Sequence, residues 1–122
     1  TISFGDHTLE EKAKLDNFEH CGDLYKVKTF KTMTKLERNG MFVYESVPGT
    51  SVSHFVETAD GVKFTVEGDE DAQITLELEE DTEYQVLVNG NSAGKMKTNL
   101  GGKLNISVEL AGFGEVLVEV TR

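Results

Sequence analysis

Val62-Lys63-Phe64-Thr65-Val66, Ile74-Thr75-Leu76-Glu77-Leu78 and Leu104-Asn105-Ile106-Ser107-Val108-Glu109-Leu110 each carry an apolar side chain at every second position. That period belongs to a strand with one face against a core and the other in water. A helix needs apolar spacings of three and four, and these segments would scatter their apolar groups around it. Val116, Val118 and Val120 continue the pattern, as do Tyr84, Val86 and Val88, which point inward and leave Leu87 outward as a candidate contact residue. Asp60-Gly61, Asn89-Gly90 and 99–102 supply residues that tolerate positive φ, as tight hairpins require. Strands are predicted over 51–58, 62–68, 72–79, 83–89, 93–98, 102–110 and 115–121. The fold class that follows is all-β, an antiparallel β-sandwich of the immunoglobulin-like type, with seven strands in 51–122.

Residues 1–50 are expected to add an N-terminal β-layer. Leu24-Tyr25-Lys26-Val27-Lys28-Thr29-Phe30 and 41–47 are β-rich, divided by a turn at Glu37-Arg38-Asn39-Gly40, and Pro48-Gly49 has the order a type II turn prefers. For 9–15 two readings stand. One is a short helical turn capped by Thr8 with Glu11 at its third position; the other is a strand with Lys12, Lys14 and Asp16 outward and Ala13 and Leu15 inward. The only proline and a charge shift mark a soft boundary near 48–51. Fifty residues hold too small a core to stand alone, so 1–122 is expected to be a single β domain.

The chain has 122 residues, 12 basic and 22 acidic, for a net charge of −10. Nearly all of that excess lies in 51–122, and it argues against nucleic-acid phosphates or anionic lipid as partners. No apolar run reaches the roughly 18–20 residues of a membrane helix, and no basic-then-apolar leader is present at the start. A single cysteine, Cys21, allows no intrachain disulfide and points to a cytoplasmic, soluble protein. The sequence opens at Thr1 in a β-like segment without an initiator Met, so residues upstream of it, an export signal among the possibilities, are expected.

The motifs support no catalysis. Gly90-Asn91-Ser92-Ala93-Gly94-Lys95 has one residue too few between its glycines for a phosphate loop, is followed by Met96, and falls in a predicted hairpin. Asp69, Glu70 and Asp71, with Glu77, Glu79, Glu80, Asp81 and Glu83, offer carboxylates to a cation but no ordered calcium loop, so weak cation binding is the most they suggest. His20 and Cys21 could converge in a turn with Asp6 or His7, yet nothing in the spacing fixes a metal or a nucleophile there. No cofactor is expected.

Lys26, Lys28, Lys31, Lys35 and Arg38, interleaved with Tyr25 and Phe30, form the one basic stretch. In a chain this acidic the stretch is expected to pair internally or with an acidic face of a second copy. The sequence therefore points to a non-catalytic structural or protein-interaction sandwich that self-associates as a homo-oligomer. A carbohydrate-binding module is the alternative. With no Trp, its stacking platforms would be Tyr25, Tyr44 and Tyr84.

Five stretches carry a likeness. Residues 25–30, 36–42 and 45–50, then Glu67-Gly68 with 71–76, and 94–104, resemble a group of short uncharacterised bacterial proteins often labelled "endosialidase". The resemblance covers most of the chain and implies a fold, not a catalytic site. Sialidase-type sites clamp a sugar carboxylate with several arginines. This chain has two, Arg38 and Arg122, and 122 residues cannot supply the propeller and stalk of phage-type endosialidases.

Overall fold

The alternating segments form strands, and so does most of the chain before them. A computed structural model describes residues 1–122, the side chain of Asn17 excepted. Its strands are β1 (Ile2–Phe4), β2 (Ala13–His20), β3 (Asp23–Thr29), β4 (Thr34–Arg38), β5 (Met41–Val47), β6 (Ser51–Thr58), β7 (Gly61–Glu67), β8 (Ala72–Glu77), β9 (Glu83–Val88), β10 (Asn91–Lys97), β11 (Lys103–Val108) and β12 (Val116–Thr121). They make two antiparallel six-stranded sheets. The first runs β1-β6-β7-β12-β9-β10 and the second β11-β8-β5-β4-β3-β2.

This is the expected all-β antiparallel sandwich, but its partition differs from the expected one. The seven strands of 51–122 divide five and two between the sheets, not in the four-and-three arrangement of an immunoglobulin sandwich. Four of the six strands of the second sheet come from 13–47, so the N-terminal residues make most of one sheet of the sandwich and are not a layer added to it. The reason is burial. Ile74, Leu76, Leu104, Ile106 and Val108 on β8 and β11 cannot alone cover the inner face of a five-stranded sheet, and Tyr25, Val27, Leu36 and Tyr44 extend the cover.

Local chemistry sets the pairing. Cys21-Gly22, Asn39-Gly40 and Asn89-Gly90 each have positive φ at both residues and sit between the paired residues His20 and Asp23, Arg38 and Met41, and Val88 and Asn91. These are two-residue hairpins of the primed type. The turn expected at 37–40 is therefore shorter, with Glu37 and Arg38 in β4, a strand the sequence reading did not separate. Gly61 is needed for a close approach, since a Cβ there would run into the Val120 carbonyl. In the region around 9–15 no helix forms, and the strand β2 starts at Ala13. Ala13 and Leu15 were expected inward; both are exposed. Leu15 pairs with the buried Val27 and so faces the inner side, but β2 lies at the sheet's edge and Leu15 stays 53 % exposed. The Val47–Pro48 peptide bond is cis.

Tyr44 joins the two sheets. Its ring meets Phe4, Phe55 and Phe64 of the first sheet edge-on, at centroid distances of 5.2, 6.3 and 5.7 Å, the geometry aromatic quadrupoles favour. Its hydroxyl lies 2.7 Å from Thr50 Oγ1, which is also 2.8 Å from Ser46 Oγ. Thr34 Oγ1 donates to the Thr50 carbonyl at 2.8 Å and accepts the Thr50 amide at 3.0 Å. The chain of hydroxyls continues through Thr29, 2.9 Å from Thr34, to the Asp6 amide at 2.8 Å. All of these threonines, and Ser46, are buried. The network fastens the crossover between β5 and β6 to three strands of the second sheet and to the loop after β1.

Two outcomes follow for stability. Thr50→Val keeps the shape but strips Tyr44 and Ser46 of their shared partner, and a urea titration is expected to show a loss of about 1–3 kcal/mol. Burial pushes the Tyr44 phenol well above its ordinary 10.0. The folded chain thus keeps a proton that the unfolded chain releases, so stability is whole below that value and falls as pH rises past it. Urea midpoints measured from pH 8 to 11 should fall more steeply for the wild type than for Tyr44→Phe.

Candidate functional site

The residues predicted to make contacts occupy very different places. Tyr25, Tyr44 and Tyr84 are core residues, 6 %, 0 % and 2 % exposed. None offers a ring face to a sugar, and the carbohydrate-binding reading loses its platforms. Tyr25 stacks on Phe18 with centroids 5.4 Å apart, and Tyr84 Oη accepts the Glu79 amide at 3.2 Å. Leu87 faces outward as expected, half-buried between Glu119 of β12 and Ser92 of β10.

Lys26 and Lys28 lie on the outer face of the second sheet. Lys26 is opposite Glu37, while Lys28 stands between Lys14 and Lys35 in one cross-strand row. The basic stretch pairs largely within the molecule: Lys31 with Glu10 at 2.6 Å, Lys35 with Glu37 at 3.7 Å, and Arg38 with Glu57. Arg38 is on β4 and Glu57 on β6, so this pair ties one sheet to the other, and the Glu57 carboxylate holds the guanidinium charge yet more firmly than usual.

Asp6 and His7 lie near Thr29, at the far end of β3 from the hairpin that carries His20 and Cys21. The convergence of these four residues considered from the sequence does not occur. Among the described residues no three His, Cys, Asp or Glu side chains gather as metal ligands. Thr8 donates its hydroxyl and its amide to Asp6, which holds the Asp6 carboxyl below its ordinary range. His7 Nδ1 is 2.7 Å from Ser51 Oγ, and Nε2 is 3.4 Å from Asp69 Oδ1. That serine oxygen also accepts the His7 amide, so the group works as a latch between the loop after β1 and the start of β6. Several carboxylates of the acidic turns are engaged within the fold as well. Asp71 accepts the amides of Leu110 and Ala111, Glu77 pairs with Lys103, and Asp81 pairs with Lys97 at 3.2 Å. Gly90–Lys95 lies in the β9–β10 hairpin.

What remains is the perimeter. Two sheets have four edge strands, and unpaired backbone groups on an edge invite another strand unless something blunts them. Three edges here are blunted. β1 is three residues long with a register shift; β2 has a bulge between Leu15 and Phe18 and carries Lys14, Asp16 and Glu19; β10 has a bulge between Ser92 and Gly94 and carries Lys95 and Lys97. β11 differs. It pairs with β8 without a break from Lys103 to Val108, and no charge stands between Leu104 and Val108.

The free groups of β11 can be named. The Leu78 amide donates to the Gly102 carbonyl at 2.8 Å, so by the alternation of an antiparallel ladder Leu104, Ile106 and Val108 turn their N–H and C=O to β8. Those of Lys103, Asn105 and Ser107 turn outward. Asn99 takes both of Lys103's, its side chain accepting the amide at 3.0 Å and its amide donating to the carbonyl at 3.1 Å. Asn105 and Ser107 keep theirs open. Their side chains are tied to β8, with Thr75 donating to Asn105 Oδ1 at 2.5 Å and Gln73 to Ser107 Oγ at 2.6 Å, so the edge is held in place. A cleft of about 460 Å³ runs between the β10 and β11 edges, floored by Val88, Val108 and Val116 and flanked by the exposed Phe113.

No family model matches the sequence, and no curated protein or solved structure matches it. Among the described residues no helix is long and apolar enough to cross a membrane. For the inter-sheet ion pair, Glu57→Gln is expected to lower the urea-measured stability by about 0.5–1 kcal/mol, the range of a partly exposed pair with good geometry.

Proposed function

We propose that the protein is a non-catalytic β-sandwich that works by association through β11, with copies of itself as the partner. The supporting observation is the regular, uncharged run of that edge beside three edges that are bulged, short or charged. Backbone hydrogen bonds to an added strand supply affinity in this mode, and the side chains beside them supply selectivity. A single exposed thiol fits a reducing, cytoplasmic setting. The alternative of a carbohydrate-binding module has no exposed tyrosine to call on and keeps only Phe113 at the cleft.

Light scattering after size exclusion tests the proposal at tens of micromolar protein and about 0.15 M salt, where the repulsion between two acidic chains is screened beyond about 8 Å. The wild type should elute as an oligomer. Ser107→Pro, which removes an outward-facing donor at a position where an edge strand tolerates proline, should elute as a monomer. A wild type that is monomeric throughout that range would overturn the proposal.

A further inference from the structure

Resting on β11 as the contact strand, we infer that two copies pair β11 against β11 antiparallel about a two-fold axis at Ile106, with Lys103 of each facing Glu109 of the other. The strand and its next residue read Lys103-Leu104-Asn105-Ile106-Ser107-Val108-Glu109. In polarity this run is the same in both directions, and its two ends carry opposite charges. Antiparallel self-pairing about Ile106 sets Leu104 opposite Val108, Asn105 opposite Ser107, and Ile106 opposite its own copy. Isologous contacts of this kind close after two subunits.

The backbone agrees with that register. Asn105 and Ser107 are the residues whose outward N–H and C=O are open, and this axis places each opposite the other. Both groups of both residues are then used, giving four hydrogen bonds across the axis. An axis at Asn105 would set the open groups of Ser107 against Lys103, whose own groups Asn99 already occupies, and leave them unpaired; about Ile106 only the side chains of Lys103 and Glu109 need to meet. An axis at Ser107 would set Glu109 against Asn105 and leave Lys103 facing no acid. An axis between two residues would put the polar outer face against the apolar inner one.

The lysine is positioned for the contact. Its ammonium pairs with Glu77 and sits over the Phe42 ring, 4.3 Å from the centroid, with a third of the side chain still exposed. Glu109 is exposed and makes none of the ion pairs found among the described residues. Opposite charges directly across an antiparallel pair stabilise it, and like charges oppose it.

Charge exchange between two variants tests the register. Glu109→Lys and Lys103→Glu, each alone, build two like-charge pairs into the symmetric dimer and should weaken it by about tenfold or more. Mixed in equal amounts, the two variants form a heterodimer in which both pairs are again complementary, and sedimentation of the mixture should recover the wild-type affinity. Because Lys103→Glu also faces Glu77, a version carrying Glu77→Lys keeps the internal pair with its signs exchanged, and circular dichroism checks that each chain is folded. If the wild type associates but neither variant weakens it, or the mixture binds no better than its components, the register is wrong while self-association stands. A monomeric wild type overturns both.

Discussion

A two-sheet sandwich hides its apolar faces but leaves four strands with backbone donors and acceptors facing outward, and that constraint governs how this chain spends its turns, bulges and charges. The shape of β1, β2 and β10 follows from it. Each interrupts its ladder where another strand could otherwise dock, by brevity, by a register shift or by charge. β11 follows the opposite course. Its ladder with β8 is unbroken, its outer side chains are anchored to Gln73 and Thr75, and its open backbone groups are confined to Asn105 and Ser107. Order at an edge favours association, because the entropy of straightening the strand has been removed before a partner arrives.

The inside of the molecule depends on Tyr44 and Thr50 in a similar way. The crossover at 48–51 marks a change in charge along the sequence, and it is also where the chain passes from one sheet to the other. A buried set of hydroxyls holds that passage: Thr50 bonds back to Thr34, Thr34 to Thr29, and Thr29 to the Asp6 backbone. No buried side-chain polar atom among the described residues lacks a partner. Such a network is strong only when complete. Since Tyr44 also packs edge-on against three phenylalanines of the facing sheet, one residue serves the apolar and the polar halves of the junction.

Much of this was legible in the sequence. Alternation located the strands from β5 to β12 to within a residue or two, and the Asn-Gly pairs named their hairpins. β4 escaped because Thr34-Lys35-Leu36-Glu37-Arg38 has one apolar residue, its inner face being completed by a threonine in the hydroxyl network and by an arginine that pairs across the sheets. The β2–β3 hairpin escaped because Cys21 takes a positive-φ position that asparagine usually fills. Tyr25 shares its parity with the buried Val27, and that period, not the stacking chemistry of its ring, sets its place in the core. The open edge was beyond sequence reasoning, because it depends on which strands end each sheet, and strand order is set by contacts distant along the chain.

Amide hydrogen exchange, read residue by residue at low and at high protein concentration, tests the central claim most directly. Leu104, Ile106 and Val108 should be protected at both concentrations, whereas Asn105 and Ser107 should exchange freely when dilute and become protected when concentrated. Fast exchange at Asn105 and Ser107 at every concentration, or protection of both in the dilute monomer, would contradict an open edge that a second copy closes.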